Sequence, residues 1–142
     1  MNSIDKYIVK LQKINDNLVE YTKQALIKSD NLAIKLQQSQ MLLGLNADNE
    51  EIGGYASYTY EQMKQQMNPL AGGAVDLKLT GAFHNAIKFN VAQTTYSWTS
   101  TDSKTDKLVS KYGSSIFGLN ISSREKLYTN VRKEFNNIIK NI

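Results

Sequence analysis

His84 is the chain's single histidine, and a lone imidazole can act as a general base or as one metal ligand but cannot form a two-histidine metal site. A Ser-His-Asp arrangement would need partners brought together by the fold, since no G-x-S-x-G elbow is present. Gly113-Ser114-Ser115-Ile116-Phe117-Gly118 resembles such an elbow only loosely. Its serines sit beside two large apolar side chains rather than at a strand-to-helix corner. The run Asn46, Asp48, Glu50 has the oxygen spacing of a calcium loop. However, Glu51 occupies the position that needs glycine, and Ser57 the one that needs a bidentate glutamate. Asx turns are the ordinary reading of that run. Glu50-Glu51 and the pair Asp102 and Asp106 lie in solvated polar contexts, where nothing separates their acidities as acid–base catalysis requires. There is no phosphate-binding lysine loop and no G-x-G-x-x-G. The expectation is a chain with no enzymatic activity, no cofactor and no metal. His84 is expected as a polar surface or turn residue, and a hydrolase built on it is the remote rival.

What stands out instead is apolar. Gly113 and Gly118 bracket Ile116-Phe117, so two large side chains sit between flexible hinges, a design suited to wedging against another surface. Tyr112, Ile116, Phe117 and Leu119 are therefore candidate interface residues. Tyr7 and Leu11 join them from a second source. Ile4, Tyr7, Leu11, Ile14, Leu18, Tyr21 and Ala25 recur at spacings of three and four with no Gly or Pro between them. Ser3 can cap that helix. The repeat is close to 3.5, so the stripe suits either a coiled-coil seam or an amphipathic helix lying on its own domain. Lys28 then falls on a seam position.

The helix should bend or end near Ser29-Asp30-Asn31 and resume from Leu32 to Leu43, with Gly44 as the stop. After a polar loop, Tyr55, Tyr58, Tyr60, Met63 and Met67 read as a core stripe on a short helix starting near Ser57. Pro69-Leu70-Ala71-Gly72-Gly73 is a break. Val75, Leu77 and Leu79 alternate with Asp76 and Lys78 as a half-buried strand does. Thr80-Gly81 turns the chain into one helical turn at 82–85. Ile87, Phe89 and Val91, then Tyr96 and Trp98, give a hairpin closed by Ala92 to Thr95, so at least three antiparallel strands are expected. Leu108, Val109 and Tyr112 share a face of a short helix stopped by Gly113. Ser122 and Glu125 form a capping box ahead of a last helix with Leu127, Val131, Phe135, Ile138 and Ile142 on one stripe. Thr80, Gly81, Gly113 and Gly118 are the candidate structural turns.

At 142 residues and 41% apolar content, a single domain over 1–142 is expected. Its parts are a helical segment to 43, a loop and short helix over 44–73, strands over 74–100 and helices over 105–142. The absence of cysteine suits a reducing compartment. No run is long and apolar enough to span a bilayer, and the N-terminus has no signal-peptide pattern, so no membrane partner is expected. The net charge is +4, from 17 Lys and Arg against 13 Asp and Glu, and the lysines of the first forty residues alternate with acids. A solvated helix surface accounts for that better than a nucleic-acid footprint. The stretch from Asn46 to Glu61 is acidic and that from Lys104 to Lys140 basic, an asymmetry that fits complementary neighbours in a ring or a chance scatter of charge.

Four pieces recur in a familiar order: Leu43-Gly44-Leu45-Asn46-Ala47-Asp48-Asn49; Tyr55 to Tyr60 with Lys64; Leu79-Thr80-Gly81-Ala82-Phe83; and Tyr112-Gly113 with Ile116-Phe117-Gly118-Leu119. Over residues 40 to 120 this resembles the virion-morphogenesis or tail-completion family of tailed bacteriophages. Asn49 stands where that family often has glycine, and Ser114-Ser115 where it often has Arg and Pro. The resemblance implies an α+β domain, with a long N-terminal helix and a C-terminal helix packed on a small antiparallel sheet. It implies a structural virion protein that forms a homo-oligomeric ring in the head-to-tail connector (neck) or tail. Its partners would be portal-side or tail proteins, and DNA would pass nearby without specific contacts. The rival reading is a small non-catalytic adaptor that dimerises through its N-terminal helix.

Overall fold

The computed structural model describes residues 2–78, 81–93 and 95–142. The N-terminal third is three helices, α1 (Ser3–Asp16), α2 (Leu18–Lys28) and α3 (Asp30–Leu42), with the break at Ser29 where the sequence placed one and a further break at Asn17. Asn17 and Ser29 interrupt the ladder. Each offers a side chain that competes for backbone groups: Asn17 Nδ2 donates to the Lys13 carbonyl and Ser29 Oγ to the Ala25 carbonyl, both at 2.9 Å. The N-cap is Asn2, whose Oδ1 accepts from the Asp5 amide at 2.9 Å; Ser3 lies inside the first turn.

After α3 the chain turns at Gly44 and crosses the 45–56 loop. It then forms α4 (Tyr58–Met67), which starts near Ser57 as the sequence suggested and is capped by that residue, and a 3-10 turn over Pro69–Ala71. The single turn α5 (Ala82–Asn85) leads into β1 (Ile87–Val91), which pairs antiparallel with β2 (Tyr96–Ser100). Phe89 faces Trp98 across the ladder, and the Ala92 amide donates to the Thr95 carbonyl at 2.8 Å to close the hairpin. Helix α6 (Thr105–Tyr112), a 3-10 turn over Ser114–Ile116 and the long α7 (Ile121–Lys140) complete the chain. The cap of α7 is Asn120, which accepts from the Ser123 amide at 3.0 Å, so the expected Ser122–Glu125 box starts two residues late.

This is an α+β fold with two strands among the described residues, one fewer than the sequence suggested. The missing strand is the segment at 75–78. Its alternation is real, but Asp76 lies in the interior rather than in solvent, and Leu77 holds φ at +60°. A strand cannot pass through that conformation. The core is built between layers. Helix α2 lies along α7, and α3 lies on β1, where the indole Nε1 of Trp98 donates to the Ala33 carbonyl at 3.0 Å. Met41, Ile87, Ile116 and Leu127 are completely buried at the centre. Among the described residues no helix is long and apolar enough to cross a membrane.

Two glycines turn the chain for different reasons. Gly44 has φ +74°, and an added Cβ would lie 2.8 Å from the Ala74 Cβ, inside contact distance. Gly81 has φ +87°, but among the described residues its Cβ would meet nothing closer than 3.6 Å; its turn partner Thr80 lies outside the described residues. Gly81→Ala should therefore cost only the backbone strain, about 1–2 kcal/mol. Gly44→Ala should cost more, because clash adds to strain. Urea denaturation of both variants tests this ranking, and equal losses would contradict it.

Candidate functional site

The Ile116-Phe117 loop is part of the core and not a free wedge. Ile116 is 0% exposed, Leu119 is buried, and Phe117 is half-buried with its ring 5.9 Å from that of Phe83. The reason lies on α3, where Gln37 and Gln40 stand one turn apart and point inward. Gln37 Nε2 donates to the Ile116 carbonyl at 3.2 Å, and its Oε1 accepts from the Gly118 amide at 2.7 Å. Gln40 Nε2 donates to the Gly118 carbonyl at 2.8 Å, and its Oε1 accepts from the Asn120 amide at 2.7 Å. The two amides serve the 116–120 backbone as a neighbouring strand would, satisfying groups that burial would otherwise leave without water. On the other side, the Ala47 amide donates to the Ser115 carbonyl at 2.8 Å, and Asn120 Nδ2 to Asn49 Oδ1 at 3.0 Å. Gly113 and Gly118 do hold positive φ, +90° and +108°, but as fixed corners. Asn49 takes φ +62°, and Asn46 Oδ1 accepts from the Asp48 and Glu50 amides, so the oxygen-rich run is an Asx turn.

Helix α1 shows the opposite behaviour. None of its residues is buried: Ile4 is 70%, Tyr7 64% and Leu11 49% exposed. The stripe is half-covered at Ile14 and Tyr21 and buried at Ala25, next to the buried Leu26 of α2, the helix that lies along α7. Of the candidate interface residues, Tyr7 and Leu11 are thus available to a partner and Ile116 and Leu119 are not. Tyr112 is half-buried and belongs to a third feature.

That feature is a cleft of about 520 Å³ between the 54–57 loop, α4, the 75–78 segment and α6. Its walls are Tyr55, Tyr60, Leu77, Phe83, Leu108 and Tyr112. The rings of Tyr55 and Tyr60 meet edge to face at 5.2 Å. The expected core stripe on α4 is therefore split: Tyr55 and Tyr60 line the cleft, while Tyr58, Met63 and Met67 are exposed.

Beneath the cleft lies a buried polar network. Lys64 Nζ sits 2.8 Å from Asp76 Oδ1 and also donates to the Lys78 carbonyl. Asp76 Oδ2 accepts from Asn68 Nδ2 at 2.8 Å, and Oδ1 from the Lys78 amide at 2.9 Å. His84 is buried rather than at the surface, and its Nε2 donates to the Asp76 carbonyl at 2.7 Å. Burial alone would raise the Asp76 carboxyl, but the hydrogen bonds of Lys64, Asn68 and Lys78 outweigh it and hold the group below its usual range. Burial pushes His84 below its ordinary 6.5, against a smaller opposing pull from the Asp76 backbone. Burial, then the Asp76 charge, pushes the Tyr55 phenol up to about 12. Gln37 and Gln40 were not singled out from the sequence, Lys64 entered only as part of a motif series, and Asp76 only as a polar position of the expected strand. The available hint was two glutamines one turn apart on the face that also carries Ala33 and Met41.

No protein-family profile, no curated protein and no solved structure matches this chain.

Both shifted groups bind fewer protons folded than unfolded, so stability should be full above the unfolded pKa values and fall with acidification. His84 contributes first, as pH drops through about 6.5, and Asp76 adds a second loss below about 3.8. Denaturation midpoints from pH 8 to 3 test this, and His84→Gln should remove the upper phase alone. Lys64→Met leaves a buried carboxylate without its countercharge and should cost about 3–5 kcal/mol. Ile116→Ala opens a cavity in the core and should cost about 2–5 kcal/mol in the isolated domain. A loss under 1 kcal/mol on chemical denaturation would return Ile116 to the surface.

Proposed function

We propose that this chain is a structural, non-catalytic virion protein of a tailed bacteriophage. Copies assemble as a ring in the head-to-tail connector (neck) or tail and enclose the DNA path. The observation that carries the reading is α1, a fourteen-residue helix with an apolar stripe of which no residue is buried and Ile4, Tyr7 and Leu11 stand largely exposed. Exposed apolar surface of that kind marks a surface intended for another molecule. The motif series at residues 43–49, 55–64, 79–83 and 112–119 supports the phage assignment by resemblance. A head-to-tail interface closes into a ring when its rotation divides a full turn, and the first half of the 4–25 stripe supplies one side of such an interface. The interleaved charges of α1, Asp5 and Asp16 among Lys6, Lys10 and Lys13, suit a protein surface better than a phosphate track.

The same stripe suits the adaptor reading, in which two copies pair through α1. Light scattering on the purified protein separates the two. A stable dimer favours the adaptor, whereas a monomer that forms rings only with its neighbours favours the neck. The decisive image is the intact particle with this protein labelled: signal at the head–tail junction supports the proposal, and signal elsewhere removes it. A double variant, Tyr7→Glu with Leu11→Glu, should change the stability of the isolated protein by no more than about 0.5 kcal/mol, because neither side chain is buried. It should fail to enter particles. Normal incorporation would show that α1 is not the assembly surface.

A further inference from the structure

The cleft between α4 and α6 combines an aromatic and aliphatic lining with cations of one sign. Lys78, Lys104 and Lys111 are exposed lining residues, and the fourth lysine, Lys64, is already neutralised by Asp76. Among the described residues that line it, none is acidic. The floor is fixed. Gly53 lets Tyr112 approach, since a Cβ there would stand 3.1 Å from the ring, and the Lys111 ammonium lies 5.2 Å from the Tyr112 ring centroid.

We propose that this cleft is a docking site for an extended acidic polypeptide segment carrying one large apolar side chain. The spacing of the cations selects a chain over a small anion. Lys104 and Lys111 stand seven residues apart along α6 and its cap, about 10 Å at the helical rise of 1.5 Å per residue. A single small carboxylate meets one of them. An extended chain advances about 3.3 Å per residue with alternate side chains on one face, so carboxylates four positions apart, about 13 Å, share a face and come within reach of both flexible lysines. An apolar side chain between them then enters the space walled by Phe83, Leu108 and Tyr112. The charge pattern selects acidic over neutral segments, and the lining selects those with an anchor. The proposal rests on the cleft alone and is independent of the assembly reading built on α1.

The test is fluorescence anisotropy of the full chain with a fluorescein-labelled hexapeptide, Glu-Asp-Phe-Asp-Glu-Leu. Three comparisons accompany it: the same peptide with Gln and Asn in place of every acid, the peptide with Ser in place of Phe, and the chain carrying Lys104→Glu and Lys111→Glu. Both lysines are exposed, so the variant keeps its fold, which its melting curve confirms. Binding of the parent peptide is expected, weakened at least about tenfold by each of the three changes and progressively by salt, as screened charge pairs require. Absence of binding, equal binding of the neutral or Ser peptide, or indifference to the lysine reversals would overturn the proposal. Phenylacetate is the small-molecule arm. If it displaces the peptide at concentrations equal to the peptide's own, the cleft takes a small monoanion and the docking proposal fails.

Discussion

An ionised carboxylate that leaves water must find a countercharge and enough donors to replace its hydration, or it will take up a proton instead. Asp76 meets that requirement with one lysine, one asparagine and one backbone amide, each drawn from a different place along the chain. The demands of that carboxylate explain much of the middle of the molecule. Lys64 must point inward from α4, so α4 packs over the 75–78 segment. The Lys78 amide must turn back to Oδ1, so Leu77 is forced to φ +60°, a conformation that costs a side-chain-bearing residue about 1–2 kcal/mol. Asn68 holds the loop ahead of the 3-10 turn by bridging Asp76 and the Leu42 carbonyl. His84 fastens α5 to the same point. The walls of the cleft are thus positioned by the network under its floor.

A second constraint follows from having so little sheet. With only one hairpin among the described residues, the buried stretch 116–120 has no strand to pair with. Gln37 and Gln40 supply its partners from a helix, each donating one hydrogen bond and accepting one. The fold accordingly contains two polar connectors in its interior, one ionic and one neutral. Both join segments that apolar packing alone would leave free to slide.

Local signals read well at several helix ends and in the hairpin, although Asn2 and Asn120 rather than Ser3 and Ser122 cap α1 and α7. Ser57 capped α4, Gly44 and Gly113 ended helices, and the Phe89 and Trp98 alternation gave the hairpin. The sequence misled where a distant residue decided. Asp76 alternates with Val75 and Leu77 as a solvent-facing strand residue would, and only Lys64 twelve positions earlier turns it inward. Ile116 and Phe117 between glycines suggested an exposed wedge because nothing nearby in sequence announces Gln37, 79 residues away. His84 was expected outside because its acceptor is a backbone carbonyl, which leaves no trace in residue type. The α1 stripe was legible as a pattern. Whether it covers its own domain depends on where the chain breaks at Asn17 and Ser29, and those breaks come from side chains competing for backbone groups.

The glutamine clamp also has a dynamic consequence. Amide hydrogens in irregular segments usually exchange with solvent through small local openings, whereas those in ladders wait for larger ones. The Gly118 and Asn120 amides lie in an irregular segment but donate to buried side chains about eighty residues away. Releasing either one means breaking a contact between α3 and the stretch that leads into α7. These two amides of a connecting loop should therefore exchange more slowly than those of irregular segments usually do.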